Sequence, residues 1–121
     1  MSFPTAGATT LVAHIPERED GFLRAVLEMA KVLGWRAFHP RPARTASGWV
    51  TALSGDAGYV DLTLARHGSP IIFAELKVAR RLPTEDQEAW LETLRQAKGH
   101  VVHLWYPNDW SSIEALLRRK E

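Results

Sequence analysis

Residues 59–66 alternate polar and apolar side chains, residues 70–77 form a more continuous apolar run, and only His67, Gly68 and Ser69 separate the two. Two such runs joined by a short glycine-containing loop read as a β-hairpin. A three-residue loop pairs Arg66 with Pro70, and counting back pairs Leu62 with Ala74. In that register Val60, Leu62, Leu64, Ile72, Ala74 and Leu76 share one face, which becomes the core side. A slip of one residue would scatter these side chains over both faces, so the pattern itself selects the register.

The same register sets Asp61 directly opposite Glu75 on the other face, with Lys77 projecting beside them two residues later. Opposed carboxylates in a sheet repel by several tenths of a kcal/mol or more. A divalent cation between them removes that cost, and hard ions such as magnesium or manganese favour carboxylate oxygens, backbone carbonyls and water. An ion held there can polarise a phosphoryl oxygen and acidify a bound water, while an adjacent lysine stabilises charge building on phosphorus. The competing account is an exposed ion pair of Lys77 with Asp61 or Glu75, which would contribute little. The run Ile71-Ile72-Phe73-Ala74 that leads into Glu75-Leu76-Lys77 weighs against it, because charges closing so apolar a strand need a reason.

Around the hairpin the pattern is mixed. Phe22, Val26, Met29, Ala30 and Leu33 recur at helical spacing before Gly34, giving a helix over 17–33. A short strand follows over 35–39, then a loop over 40–48 rich in proline, arginine and small residues. Thr84 with Gln87 three residues later has the capping-box pattern, opening a helix that runs to about Ala97 with Trp90, Leu91 and Leu94 as its apolar stripe. A strand over 101–105 and a last helix from about Asp109, carrying Ile113, Leu116 and Leu117, complete a helix–meander–helix–strand–helix order. The fold class is therefore α/β. With 121 residues, 17–121 reads as one domain; residues 1–16 read as a lead-in, either partly disordered or paired with another chain.

Composition narrows the chemistry. The chain has no cysteine, which excludes disulfide scaffolds, zinc–thiolate sites and cysteine nucleophiles. No apolar run nears the roughly 20 residues of a membrane helix, so no membrane partner is expected. Fifteen Lys and Arg against 14 Asp and Glu give a net charge of only +1, yet residues 35–55 hold Arg36, Arg41 and Arg44 with no acid among them. Lys77, Arg80 and Arg81 form a second basic cluster.

Gly58-Tyr59-Val60-Asp61-Leu62, then Phe73-Ala74-Glu75-Leu76-Lys77, then Leu82-Pro83-Thr84-Glu85-Asp86-Gln87 and Trp90-Leu91 together resemble the VRR-NUC group of the PD-(D/E)XK nuclease superfamily. The likeness extends to Glu19, Phe22, Val26, Ala30 and Gly34-Trp35 upstream and to Gly99, Val101 and 105–110 downstream. It implies a restriction-endonuclease-like α-β-β-β-α-β(-α) core with a mixed central sheet. It also implies a magnesium- or manganese-dependent deoxyribonuclease acting on DNA phosphodiesters, with branched or structured DNA as substrate. Small stand-alone members are typical of phages and prophages, and some resemble Holliday-junction resolvases. A cytoplasmic location in a bacterial or phage-infected cell, and a homodimer that enlarges the DNA-binding surface, follow from that likeness.

Carried over residue by residue, the resemblance makes Asp61 and Glu75 metal ligands with the Leu76 carbonyl, and Lys77 the catalytic lysine. Glu19 would complete the site from the first helix, with Glu17 as the fallback. Gln87 matches a glutamine that faces the active site, and it is equally a capping partner for Thr84. Val60 departs from the group, which usually has proline there; that proline shapes backbone only. Arg41, Arg44, Arg80 and Arg81 would seat the DNA backbone. His39 reads as structural ahead of phosphate contact, and His14, His67, His100 and His103 carry no signal. Trp35, Trp90 and Trp105 read as packing residues, and Trp49 as a core or dimer contact ahead of a base-stacking one. Two rival functions share the fold: a non-cleaving DNA-structure-binding module, and a partner-activated nuclease subunit of a phage DNA-processing assembly. For such partners, Leu11-Val12-Ala13 and Arg118-Arg119-Lys120 are the candidate surfaces.

Overall fold

The computed structural model describes residues 17–40, 43–45, 48–50 and 54–119. The lead-in 1–16, Arg41 and Lys120 lie outside them. In chain order the elements are α1 (Glu19–Val32), β1 (Arg36–Phe38), β2 (Ala43–Thr45), β3 (Gly48–Val50), β4 (Leu62–Ala65), β5 (Ile71–Leu76), α2 (Glu85–Gln96), β6 (His100–Trp105), a 3-10 turn (Pro107–Asp109) and α3 (Trp110–Arg118). Strands β1, β4, β5 and β6 form one four-stranded sheet in that spatial order. The β1–β4 and β4–β5 pairs are antiparallel and the β5–β6 pair is parallel, so the sheet is mixed.

The expected hairpin register holds: Leu62 pairs with Ala74 and Leu64 with Ile72. All six residues assigned to the core face are buried. Five of them, together with Trp105, pack in one cluster against Phe22, Val26 and Ala30 of α1 and Trp110, Ile113 and Leu117 of α3. Six side chains of Leu or Ile size at or near full burial contribute about 1.5–3 kcal/mol each to that cluster. Helices α1 and α3 thus cover one face of the sheet. Trp90 of α2 packs edge-on against Tyr59, whose hydroxyl bonds that of Thr63 at 2.9 Å, so α2 is tied to the opposite face.

The structure departs from the sequence reading in the loop that follows β1. Part of the loop assigned to 40–48 is a strand, and β2 and β3 pair as a separate two-stranded ribbon with Arg44 opposite Trp49. Three-residue strands are too short to show a period, and Thr45, Trp49 and Val50 supply β propensity that the prolines and arginines around them obscure. No helix among the described residues is long and apolar enough to cross a membrane.

Candidate active site

The site forms where the β4–β5 ladder stops. Strand β4 begins at Leu62, so Asp61 lies just outside the ladder rather than as a strand residue facing Glu75. Its side chain does the pairing instead: Oδ2 accepts the Leu76 backbone N–H at 2.9 Å. From the other side, Nδ1 of His39 lies 2.7 Å from the Asp61 carbonyl oxygen. Asp61 is therefore held between β5 and the end of β1.

Glu75 lies on β5, an interior strand whose neighbours β4 and β6 both use its backbone, and Lys77 directly follows the strand's last residue, its N–H donating to the Trp105 carbonyl at 3.0 Å. Burial is deep, with only 1% of Glu75 and 5% of Lys77 exposed. Lys77 Nζ is 3.6 Å from Glu75 Oε2, and neither Glu75 oxygen has a hydrogen-bond partner. A buried carboxylate left in that condition is costly, because the lost hydration is not replaced. Burial accordingly pushes the Glu75 carboxyl up from 4.5 to about 7, and the Asp61 charge adds to the rise. The Lys77 ammonium and the Asp61 amide pull the other way without cancelling it. An acid raised by desolvation beside a like charge and a buried lysine is the pattern found at functional sites.

Other predicted residues are placed differently. Glu19, the first residue of α1, sits 3.7 Å from Arg81 Nη1 and is not gathered onto the carboxylates. Glu17 is exposed ahead of the helix. The segment after Lys77 is pinned by Tyr106, whose hydroxyl donates to the Arg81 carbonyl at 2.8 Å, and it turns through Ala79 at φ 54°. Arg80 and Arg81 project from it into solvent. Arg44 lies on β2, apart from the four-stranded sheet in pairing.

Gln87 caps its helix as the sequence indicated. Its Oε1 accepts the Thr84 N–H at 2.9 Å, and Thr84 Oγ1 accepts the Gln87 N–H at 3.2 Å. That side-chain oxygen is committed to the cap. Gly58 lies against the first turn of the same helix at φ +93°, where a Cβ would come within 2.5 Å of the Asp86 carbonyl carbon.

Among the described residues, no three His, Asp or Glu side chains converge as a metal cage. The donors in place are the two Glu75 oxygens, neither of them hydrogen-bonded, the second carboxylate oxygen of Asp61 and backbone carbonyls. Such an all-oxygen set suits magnesium or manganese rather than a softer ion. Sequence reasoning assigned His39 a structural role without indicating its partner, the Asp61 carbonyl. Its signal lay in the residue that follows, proline, which has no N–H. No protein-family model, no curated protein and no solved structure matches this chain.

Proposed function

We propose that the protein is a magnesium- or manganese-dependent nuclease that hydrolyses DNA phosphodiester bonds at Asp61, Glu75 and Lys77, on a restriction-endonuclease-like core of the VRR-NUC type. One observation carries this reading: Glu75 is buried with neither carboxylate oxygen hydrogen-bonded, near a second carboxylate and with a buried lysine 3.6 Å from Oε2. A site that served folding alone would gain by replacing these charges with apolar side chains. The order of helices and strands and the mixed sheet support the same reading.

Asp61 and Glu75 would hold the ion, with the Leu76 carbonyl as a further oxygen. Glu19 would join them only by leaving Arg81. A bound ion supplies Lewis-acid polarisation of the phosphoryl group and a more acidic water. In the reaction a water oxygen bonds to phosphorus, the bond from phosphorus to one sugar oxygen breaks, and that oxygen leaves with a proton. Lys77, held in a nearly dry position, stabilises negative charge on the phosphoryl oxygens where water would otherwise screen it. Arg80 and Arg81 seat the flanking backbone phosphates. Branched or structured DNA is the proposed substrate, and a homodimer the proposed working form.

Cleavage of single-stranded, duplex, flap and four-way-junction DNA with either metal tests this. Cutting that requires metal and disappears on adding EDTA or in Lys77→Ala supports the nuclease, and preference for flap or junction supports the substrate. Junction binding without cutting of any DNA contradicts a self-sufficient enzyme.

A further inference from the structure

The His39 imidazole, one residue past the end of β1, reaches the backbone of Asp61. The β1–β4 register pairs Arg36 with Ala65, Ala37 with Leu64 and Phe38 with Thr63. Continued by two residues, it would set Pro40 against Asp61. Proline has no N–H to give the Asp61 carbonyl, so the ladder cannot extend there. The His39 ring fills the missing donor's place at 2.7 Å. A carbonyl oxygen can only accept, so the proton of this bond resides on His39 Nδ1.

We infer that His39 is a positioning residue for the metal site: it fixes the Asp61 backbone so that Oδ2 meets the Leu76 N–H and the second oxygen is left for the ion. The inference rests on the proposed metal-dependent function and adds a residue to it. Two anchors on opposite strands hold Asp61, one on its main chain and one on its side chain. Releasing the main-chain anchor frees the carboxylate to rotate, and ordering it again opposes metal binding. Outer partners that orient ligands change metal affinity by about 10–100-fold when removed.

Two variants separate donor from bulk. His39→Phe keeps a ring of similar size and loses the donor, whereas His39→Asn loses the ring and keeps an amide N–H near the Nδ1 position. Manganese affinity is measured by calorimetry on the full chain, with thermal melting as the check on folding. A positioning role gives about tenfold weaker manganese binding in His39→Phe and near-normal binding in His39→Asn. A space-filling role gives the reverse order and overturns the inference, as does binding within twofold of wild type in both variants; either result leaves the metal site standing. Absence of manganese binding by the wild-type protein overturns the inference and the metal-dependent function together. If His39→Phe does not fold, His39→Asn decides alone: wild-type affinity supports the donor role, and a tenfold loss contradicts it.

Discussion

The Asp61 carboxylate accepts the Leu76 backbone N–H at 2.9 Å, one residue beyond Glu75. A side chain here continues the hairpin after main-chain pairing has stopped, which draws one carboxylate toward another. Attraction of the N–H for Oδ2 opposes the repulsion between the acids, and Asp61 is left with one oxygen for other partners.

Asp61 thus has a structural role separable from its charge. Asp61→Ala leaves the Leu76 N–H without its acceptor and should cost about 1–3 kcal/mol. Asp61→Asn keeps an oxygen acceptor and should cost less, yet be as inactive as the alanine variant. Chemical denaturation beside a cleavage assay checks both; equal stability of the two variants would contradict the structural role.

Glu75 makes stability depend on pH in an unusual direction. Its folded pKa of about 7 exceeds the ordinary 4.5, so across that window the native state keeps a proton the unfolded state has released. Stability therefore falls as pH rises from about 4.5 to 7. Glu75→Gln should remove this slope, melt higher than wild type at pH 8 and lose activity. Urea unfolding between pH 5 and 8 measures it. Magnesium at pH 8 should restore wild-type stability and leave Glu75→Gln unchanged.

His103 acts in the opposite sense. Its Nε2 is buried without a partner, its ring stacks on Trp105 at 5.5 Å, and burial holds its pKa below 6.5. The unfolded chain binds the proton more readily, so stability is lost as pH falls below 6.5. His103→Phe should melt above wild type at pH 5 and close to it at pH 8. Thermal melts of the Glu75 and His103 variants at both pH values resolve the two contributions.

Gly58 joins the site segment to α2. Gly58→Ala combines a φ of +93° with a Cβ placed 2.5 Å from the Asp86 carbonyl carbon. A loss of at least about 2 kcal/mol is expected. At the same helix end, Thr84→Ala should cost about 1 kcal/mol with cleavage retained. Equilibrium unfolding of both variants provides the comparison.

Much of this arrangement was legible because it depends on local pattern. The Leu62–Ala74 register follows from alternation and loop length, and the Thr84–Gln87 cap from two residues at fixed spacing. Gly34, at φ +88°, directly follows the C-cap of α1, where the sequence indicated a stop. The remainder depends on relations across the chain. The sequence placed Asp61 on the strand opposite Glu75, but whether a carboxylate pairs with its counterpart or with a backbone N–H depends on where the ladder ends. The pairing of Glu19 with Arg81 depends on how α1 sits against the turn after Lys77. His39 looked structural alone; its importance emerges only once Pro40 falls opposite Asp61.

The most direct test of the central claim is a crystal structure of the protein soaked in manganese, with the ion located by its anomalous scattering. The account predicts a peak within bonding distance of carboxylate oxygens from both Asp61 and Glu75. A saturating soak with no peak there, and Glu75 still facing Lys77 alone, would contradict it.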